Sequence, residues 1–261
     1  MSTVFVTLTD KEYYSRATRT IQELRTNGGW SGDIVLIAVD FNPEPLPGVE
    51  IYNVSHIPTD ALIEQHKAFP IYVDAENDLR HFRKLYQWDK LQVFRTYFRR
   101  WERVVFLDAG HRVFNSVAPL LELDWRGKFL APDDSDLHDN GKRFKGQMDF
   151  KSNPAATEQL FSEYPQSILD DHYFLNCMFV YDTSLLDQTS FEELESTMNR
   201  FPMAYSNEMA IMNLIFTFKL RVWQPLPMKL DTGLFLFGWC EYNYPGSHSK
   251  QFHFIKYSVT G

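Results

Sequence analysis

The sequence predicts an α/β fold, with a mainly parallel central sheet and helices on both of its faces. Two observations carry this. The chain opens with an apolar strand, an amphipathic helix and a second apolar strand, and its strands are continuous apolar runs rather than alternating ones. Such runs belong to strands buried on both faces. Strand and helix patterns then keep alternating along the chain, as layered α/β folds require.

Taken in order, Thr3–Thr9 is rich in β-branched and aromatic residues, as a buried strand needs. Ala17, Ile21 and Leu24 fall on one helical stripe, which stops at Asn27, Gly28 and Gly29, because glycine accepts the left-handed geometry of a helix end. A second apolar strand runs from Asp33 to Asp40, and a Pro-rich loop over 43–47 leads to a third over 49–54. From Leu79 to about Arg100, Phe82, Leu85, Trp88, Leu91, Phe94 and Phe98 recur at three- and four-residue steps and predict a long helix. It feeds into Arg103–Asp108, a buried strand closing on a carboxylate. Residues 132–153 are polar, rich in Asp and Gly, and read as a mobile loop. Tyr173 to Tyr181 reads as a strand, 184–199 and 207–217 as helices, and the C-terminal part as short strands joined by Pro and Gly turns. No repeat, low-complexity tract or linker divides the chain, so 1–261 is taken as one domain, open to being the leading part of a longer protein.

Composition narrows the function. Of 261 residues, 44% are hydrophobic and 16% aromatic, which excludes a disordered chain. No apolar stretch approaches the ~18–20 residues that span a bilayer. The N-terminus lacks the basic region and apolar core of a secretory signal, so a cytoplasmic protein is expected. Cys177 and Cys240 stand in neither a CxxC nor a Cys/His metal spacing and read as core residues. A formal charge of −8 argues against nucleic acid as the main partner. The basic segment Arg95, Arg99, Arg100, Arg103 fits a solvated helix end as well as an anion site.

Four pieces together point to chemistry. The first strand ends in Thr7-Leu8-Thr9, with Tyr14 a turn into the next helical segment; the long helix carries Lys90; the fourth strand closes on Asp108-Ala109-Gly110; and near the C-terminus stand His253 and Lys256. Main-chain groups at a strand end can pair with a base edge, and an aromatic ring can stack on it. A strand-end Asp with a distant His can hold a divalent cation, which with Lys90 or Lys256 would neutralise a diphosphate leaving group.

In this order and spacing, the sequence resembles a GT-A glycosyltransferase of family 8, the family of glycogenin and the bacterial lipooligosaccharide galactosyltransferases. The opening from Phe5 to Thr9 followed by Tyr14 resembles the glycogenin start. Asp89-Lys90-Leu91 and Arg103 to Asp108 are similar to the family's lysine helix and DxD strand. Phe174 to Tyr181 resembles "FNSGVFVY", Glu208 to Asn213 resembles "DQGLLN", and His253-Phe254 resembles the start of "HFxGxxKPW". The resemblance implies retaining transfer of a sugar from a UDP-linked donor to a carbohydrate hydroxyl, with Mn²⁺ as cofactor. It implies donor binding by Thr7, Leu8, Thr9, Tyr14, Lys90, Asp108, Ala109 and Lys256. By the same resemblance the metal falls to Asp108 and His253, and catalysis to Glu208, Asn176 and Lys90.

The chain departs from that pattern at Gly110, where the family has its second DxD aspartate, and at Met209, where it has an amide. Both favour a rival, a sugar-nucleotide-binding or scaffold protein without catalysis. A nucleotidylyltransferase is a weaker rival, since it needs a Gly-rich basic loop after the first strand and Thr9-Asp10-Lys11-Glu12 supplies no glycine. Self-glycosylation on Tyr242 or Tyr244 is a further variant. The same residues also have structural readings: Asp108 as a turn former, Lys90 as a snorkelling side chain, His253 as a satisfied core histidine, and Glu208 as a first-turn acid. His111, Asp133, Asp134, Asp136 and His138 suit an acidic pocket or, equally, a solvated loop. Phe235, Phe237 and Trp239 suit stacking on acceptor sugar rings or a small β core.

Overall fold

A computed structural model describes residues 2–70, 84–137, 141–239 and 250–257. The strands are β1 (Thr3–Thr9), β2 (Asp33–Val39), β3 (Glu50–Val54), β4 (Arg103–Leu107), β5 (His111–Val113), β6 (Phe129–Ala131), β7 (Met178–Asp182), β8 (Trp223–Pro225), β9 (Phe235–Trp239) and β10 (Phe252–Lys256). They form a seven-stranded sheet in the order β3-β2-β1-β4-β7-β6-β8 and a three-stranded sheet in the order β5-β10-β9. In the large sheet β3, β2, β1 and β4 run parallel, and β7 is antiparallel to both its neighbours.

Continuous apolar strands need a core on each face, and both exist. Along β1, Val4 and Val6 enter one hydrophobic core while Phe5 enters the other. Val35 and Ile37 against Ile34 and Leu36 in β2, and Val104 and Phe106 against Val105 and Leu107 in β4, repeat the same alternation. The longer helices are α1 (Tyr14–Thr26), α2 (Asp60–Ala68), α3 (Pro154–Glu163), α4 (Phe191–Arg200) and α5 (Glu208–Asn213). Helix α1 ends where expected, with the Asn27 and Gly28 amides both donating to Glu23 O and Gly29 at φ +68°. No helix among the described residues is long and apolar enough to cross a membrane.

Three expectations are corrected. The helix predicted up to Arg100 is instead two 3-10 stretches, Leu85–Phe94 and Thr96–Arg100, broken at extended Arg95 (ψ 151°); residues 79–83 lie outside the described residues. Side chains three apart eclipse in a 3-10 helix, and here they bond. Gln92 Nε2 donates to Asp89 Oδ1 (3.0 Å) and Arg95 Nε to Gln92 Oε1 (2.8 Å). The segment 132–153 is no loose loop where it is described. Asp133, Asp134, Ser135 and Asp149 are buried, and a 3-10 turn spans Phe144–Gln147. The strand expected from Tyr173 begins only at Met178, and α5 runs on into a π-helical turn, Leu214–Lys219.

Candidate active site at the β1–β4 crevice

The chain passes from β1 outward through β2 to β3, then returns to place β4 on the other side of β1. That reversal opens a crevice beyond the carboxyl ends of β1 and β4, where open α/β sheets bind ligands. The β1–β4 register runs only from Thr3↔Arg103 to Val6↔Phe106, so Thr7, Leu8 and Thr9 continue past the paired stretch on that side. Thr7 Oγ1 is buried and without a partner. Tyr14 stands beside this strand end, its hydroxyl donating to Glu44 O (3.0 Å) and its ring edge-on to Phe41 (5.6 Å).

Lys90 rises from the 3-10 stretch over the Phe106 ring and ends among three of the expected residues. Its ammonium lies 3.0 Å from Asp108 Oδ1 and 2.8 Å from Glu208 Oε1, and donates to Asn176 Oδ1 (3.1 Å). Asn176 Nδ2 donates in turn to the same Glu208 oxygen (3.0 Å). Burial alone would lower the Lys90 pKa, but the Asp108 and Glu208 carboxylates outweigh it and the net shift is upward. Burial would raise Asp108, and Lys90 and Lys256 outweigh that, so its carboxyl titrates below the ordinary range. Glu208 Oε2 remains buried and without a partner. It opens α5 behind Asn207, a non-glycine residue at φ +52°, a backbone conformation of the kind that clusters at functional sites.

The three-stranded sheet brings Lys256 to the same place. Lys256 pairs with His111 across β10 and β5, and its Nζ donates to Ala109 O (2.9 Å) and lies 3.6 Å from Asp108 Oδ2. His253 does not arrive there. Strand residues alternate faces, so His253 projects from the face of β10 opposite to Lys256; its Nδ1 donates to Ser116 O (2.7 Å). The expected Asp108–His253 pairing is therefore not assembled. His111 comes soon after Asp108, but its Nδ1 donates to the Asp108 main-chain oxygen (3.0 Å) and the ring is wholly buried. Burial, reinforced by Lys256, lowers the His111 pKa to about 3 and keeps the ring neutral. Cys177 is a core residue, its thiol pushed up to about 12 by burial.

Sequence reasoning missed Arg16. A Cβ on Gly110 would meet Arg16 Cδ at 3.7 Å and Lys256 Nζ at 4.0 Å. Nothing in the local pattern marks this arginine, which lies in the first turn of α1. Asp133 and Asp134 are buried rather than solvated: Asp133 pairs with His172 (2.8 Å) and Asp134 accepts from the Tyr173 hydroxyl. Cys240, Tyr242, Tyr244 and His138 lie outside the described residues. A cleft of about 400 Å³, lined by residues including His56, Arg95 and Phe191, contains none of the crevice residues. The crevice is recognised by its cluster of charged side chains.

The architecture matches solved glycosyltransferases. The bifunctional glycosyltransferase WbbM aligns with TM-score 0.60 and 15% identity over 99% of this chain and 46% of its own. The galactosyltransferase LgtC, as an active-site mutant, aligns with TM-score 0.60 and 12% identity over 98% of this chain and 88% of its own. LgtC in complex with donor and acceptor sugar analogues gives 0.59 and 12%. GlyE of Streptococcus pneumoniae gives 0.50 and 12% over 86% of this chain and 45% of its own. The chain thus spans about half the length of WbbM and GlyE. A scan against protein-family models finds no match. A search of curated proteins also finds none. The fold is the α/β GT-A glycosyltransferase fold, of the LgtC kind.

Proposed function

We propose that this chain transfers a sugar from a UDP-linked donor to a carbohydrate hydroxyl, with retention. The observation that carries this is the Lys90–Asp108–Asn176–Glu208 cluster at the crevice of a fold shared with glycosyltransferases. In this reading the free edge of Thr7–Thr9 pairs with the base, and Tyr14 walls it. Lys90 and Lys256 face the diphosphate. The unpartnered Glu208 Oε2, steadied by Asn176, accepts from a donor-sugar hydroxyl. The acceptor oxygen attacks the anomeric carbon from the leaving-group side. As the anomeric C–O bond breaks, its electron pair stays on the diphosphate oxygen, which takes the acceptor's proton. Ammonium groups already in place stabilise that developing charge without reorganising.

The test is calorimetric titration with a panel of UDP- and GDP-sugars, followed by measurement of UDP release with saccharide acceptors. One UDP-sugar is expected to bind and turn over repeatedly. A failure of every nucleotide to bind overturns the proposal. Met209 supports one other reading, a binder without turnover, and more than one UDP released per chain excludes it.

A further inference from the structure

We infer that this site holds the donor's diphosphate without a divalent cation, the ammonium of Lys256 beside Asp108 supplying positive charge in its stead. The inference rests on the nucleotide-diphosphate reading above and specifies how that site is charged.

The donor set does not fit a metal. Asp108 is the one expected ligand in the crevice, and both of its oxygens face ammonium groups, Oδ1 at 3.0 Å from Lys90 and Oδ2 at 3.6 Å from Lys256. A divalent ion reaching that carboxylate would meet two like charges at contact range, which disfavours it strongly. The second acid's place is held by Gly110, where a Cβ would come into ordinary contact with Arg16 Cδ (3.7 Å) and Lys256 Nζ (4.0 Å). Gly110 also sits at φ +93°, so an aspartate there would be strained. His253 faces away across β10, its Nδ1 bonded to Ser116 O and its buried Nε2 without a partner on that side. Among the described residues no group of three or more His, Cys, Asp and Glu side chains is placed to share an ion.

The charges instead leave no carboxylates in excess for a cation. Lys90 and Lys256 match Asp108 and Glu208 at the crevice. A metal site would need acidic groups in surplus. Lys256 spends one N–H on Ala109 O, and an ammonium carries three donors, so donors remain for phosphate oxygens. When the anomeric bond breaks, the electron pair left on the β-phosphate oxygen is met by these groups. No ion is required for the balance.

Metal-stripped protein titrated with Mn²⁺ and followed by electron paramagnetic resonance is expected to leave the free-ion signal undiminished. Calorimetric titration of UDP, corrected for Mn²⁺–UDP complexation, is expected to give affinities in EDTA and in Mn²⁺ that agree within about twofold. Lys256→Gln should weaken UDP by about tenfold or more, or about 1.4 kcal/mol, equally in both buffers, and Lys256→Arg should retain most of the affinity. If Lys256→Gln fails to fold by circular dichroism, the wild-type titrations and Lys256→Arg decide. Mn²⁺ binding to the free protein, or UDP binding that EDTA abolishes, overturns this inference alone. Absence of UDP binding in either buffer overturns the donor reading together with it.

Discussion

Lys90 is the residue on which the crevice depends electrostatically. Its ammonium is the common partner of Asp108, Glu208 and Asn176, all within 3.1 Å. Removing one member of a buried ion network leaves the others desolvated and unpaired, which costs about 3–5 kcal/mol. Lys90→Met should therefore lower stability to chemical denaturation by an amount of that order. Adding Glu208→Gln to it should recover part of the loss, because one orphaned charge disappears. Strict additivity of the two substitutions would show that the groups do not interact. His56 offers a second test, outside the crevice. Its Nδ1 lies 2.5 Å from buried Asp89, and this hydrogen bond outweighs burial and raises the His56 pKa above the ordinary ~6.5. A group raised in the fold stabilises fully below its unfolded pKa and loses that contribution as pH rises through the folded value. The Tm gap between wild type and His56→Gln should thus be wide near pH ~6 and narrow at higher pH. A gap independent of pH would mean that protonation contributes nothing.

Among elements, α5 is tied to the sheet by a side chain acting as a ladder partner. Asn213 Oδ1 accepts from Phe174 N (3.0 Å), and its Nδ2 donates to Phe174 O (3.1 Å), fixing the extended segment that delivers Asn176. Asn213→Ala orphans both buried main-chain groups, at about 1–3 kcal/mol each, and should lower the denaturation midpoint accordingly. A loss under about 0.5 kcal/mol would mean that these groups find other partners. Elements of this kind mark the limit of what sequence shows. Strands β1, β2 and β4 were legible because burial on both faces leaves an unbroken apolar run, and Asp108 because a carboxylate comes directly after such a run. The 3-10 stretch was not, since apolar steps of three and four read as an α-helix and the main-chain i→i+3 bonds that define the tighter helix leave no mark in residue type. His253 was misplaced because spacing along a chain does not give strand register, and one residue of register exchanges the faces. Asp133 and Asp149 looked solvated because their partners, His172 and the Lys151 amide, are conformational rather than compositional facts.

At the scale of the whole molecule, the crevice joins two sheets that also share a hydrophobic core and are braced by α1. That helix grips β5 through Thr20 Oγ1 to His111 O (2.7 Å), Asn27 Nδ2 to Val113 O (2.8 Å), and Glu23, which accepts from the Val113 amide and pairs with Arg112. Strand β10 hangs on β5 and reaches the large sheet through Lys256 alone among the contacts at Asp108 and Ala109. A molecule of net charge −8 thus places Lys90 and Lys256 where its two sheets meet, so a bound diphosphate would bridge them. Ligand binding stabilises what it contacts and slows its local opening. Saturating UDP should therefore slow amide exchange in β10 and in the Asp108–His111 turn. Edge strand β3, which borders the large sheet away from Lys256, should exchange at its ligand-free rate. Protection confined to β1 and the 3-10 stretch, with β10 unchanged, would place the diphosphate on Lys90 without Lys256. It would return the small sheet to a purely structural role.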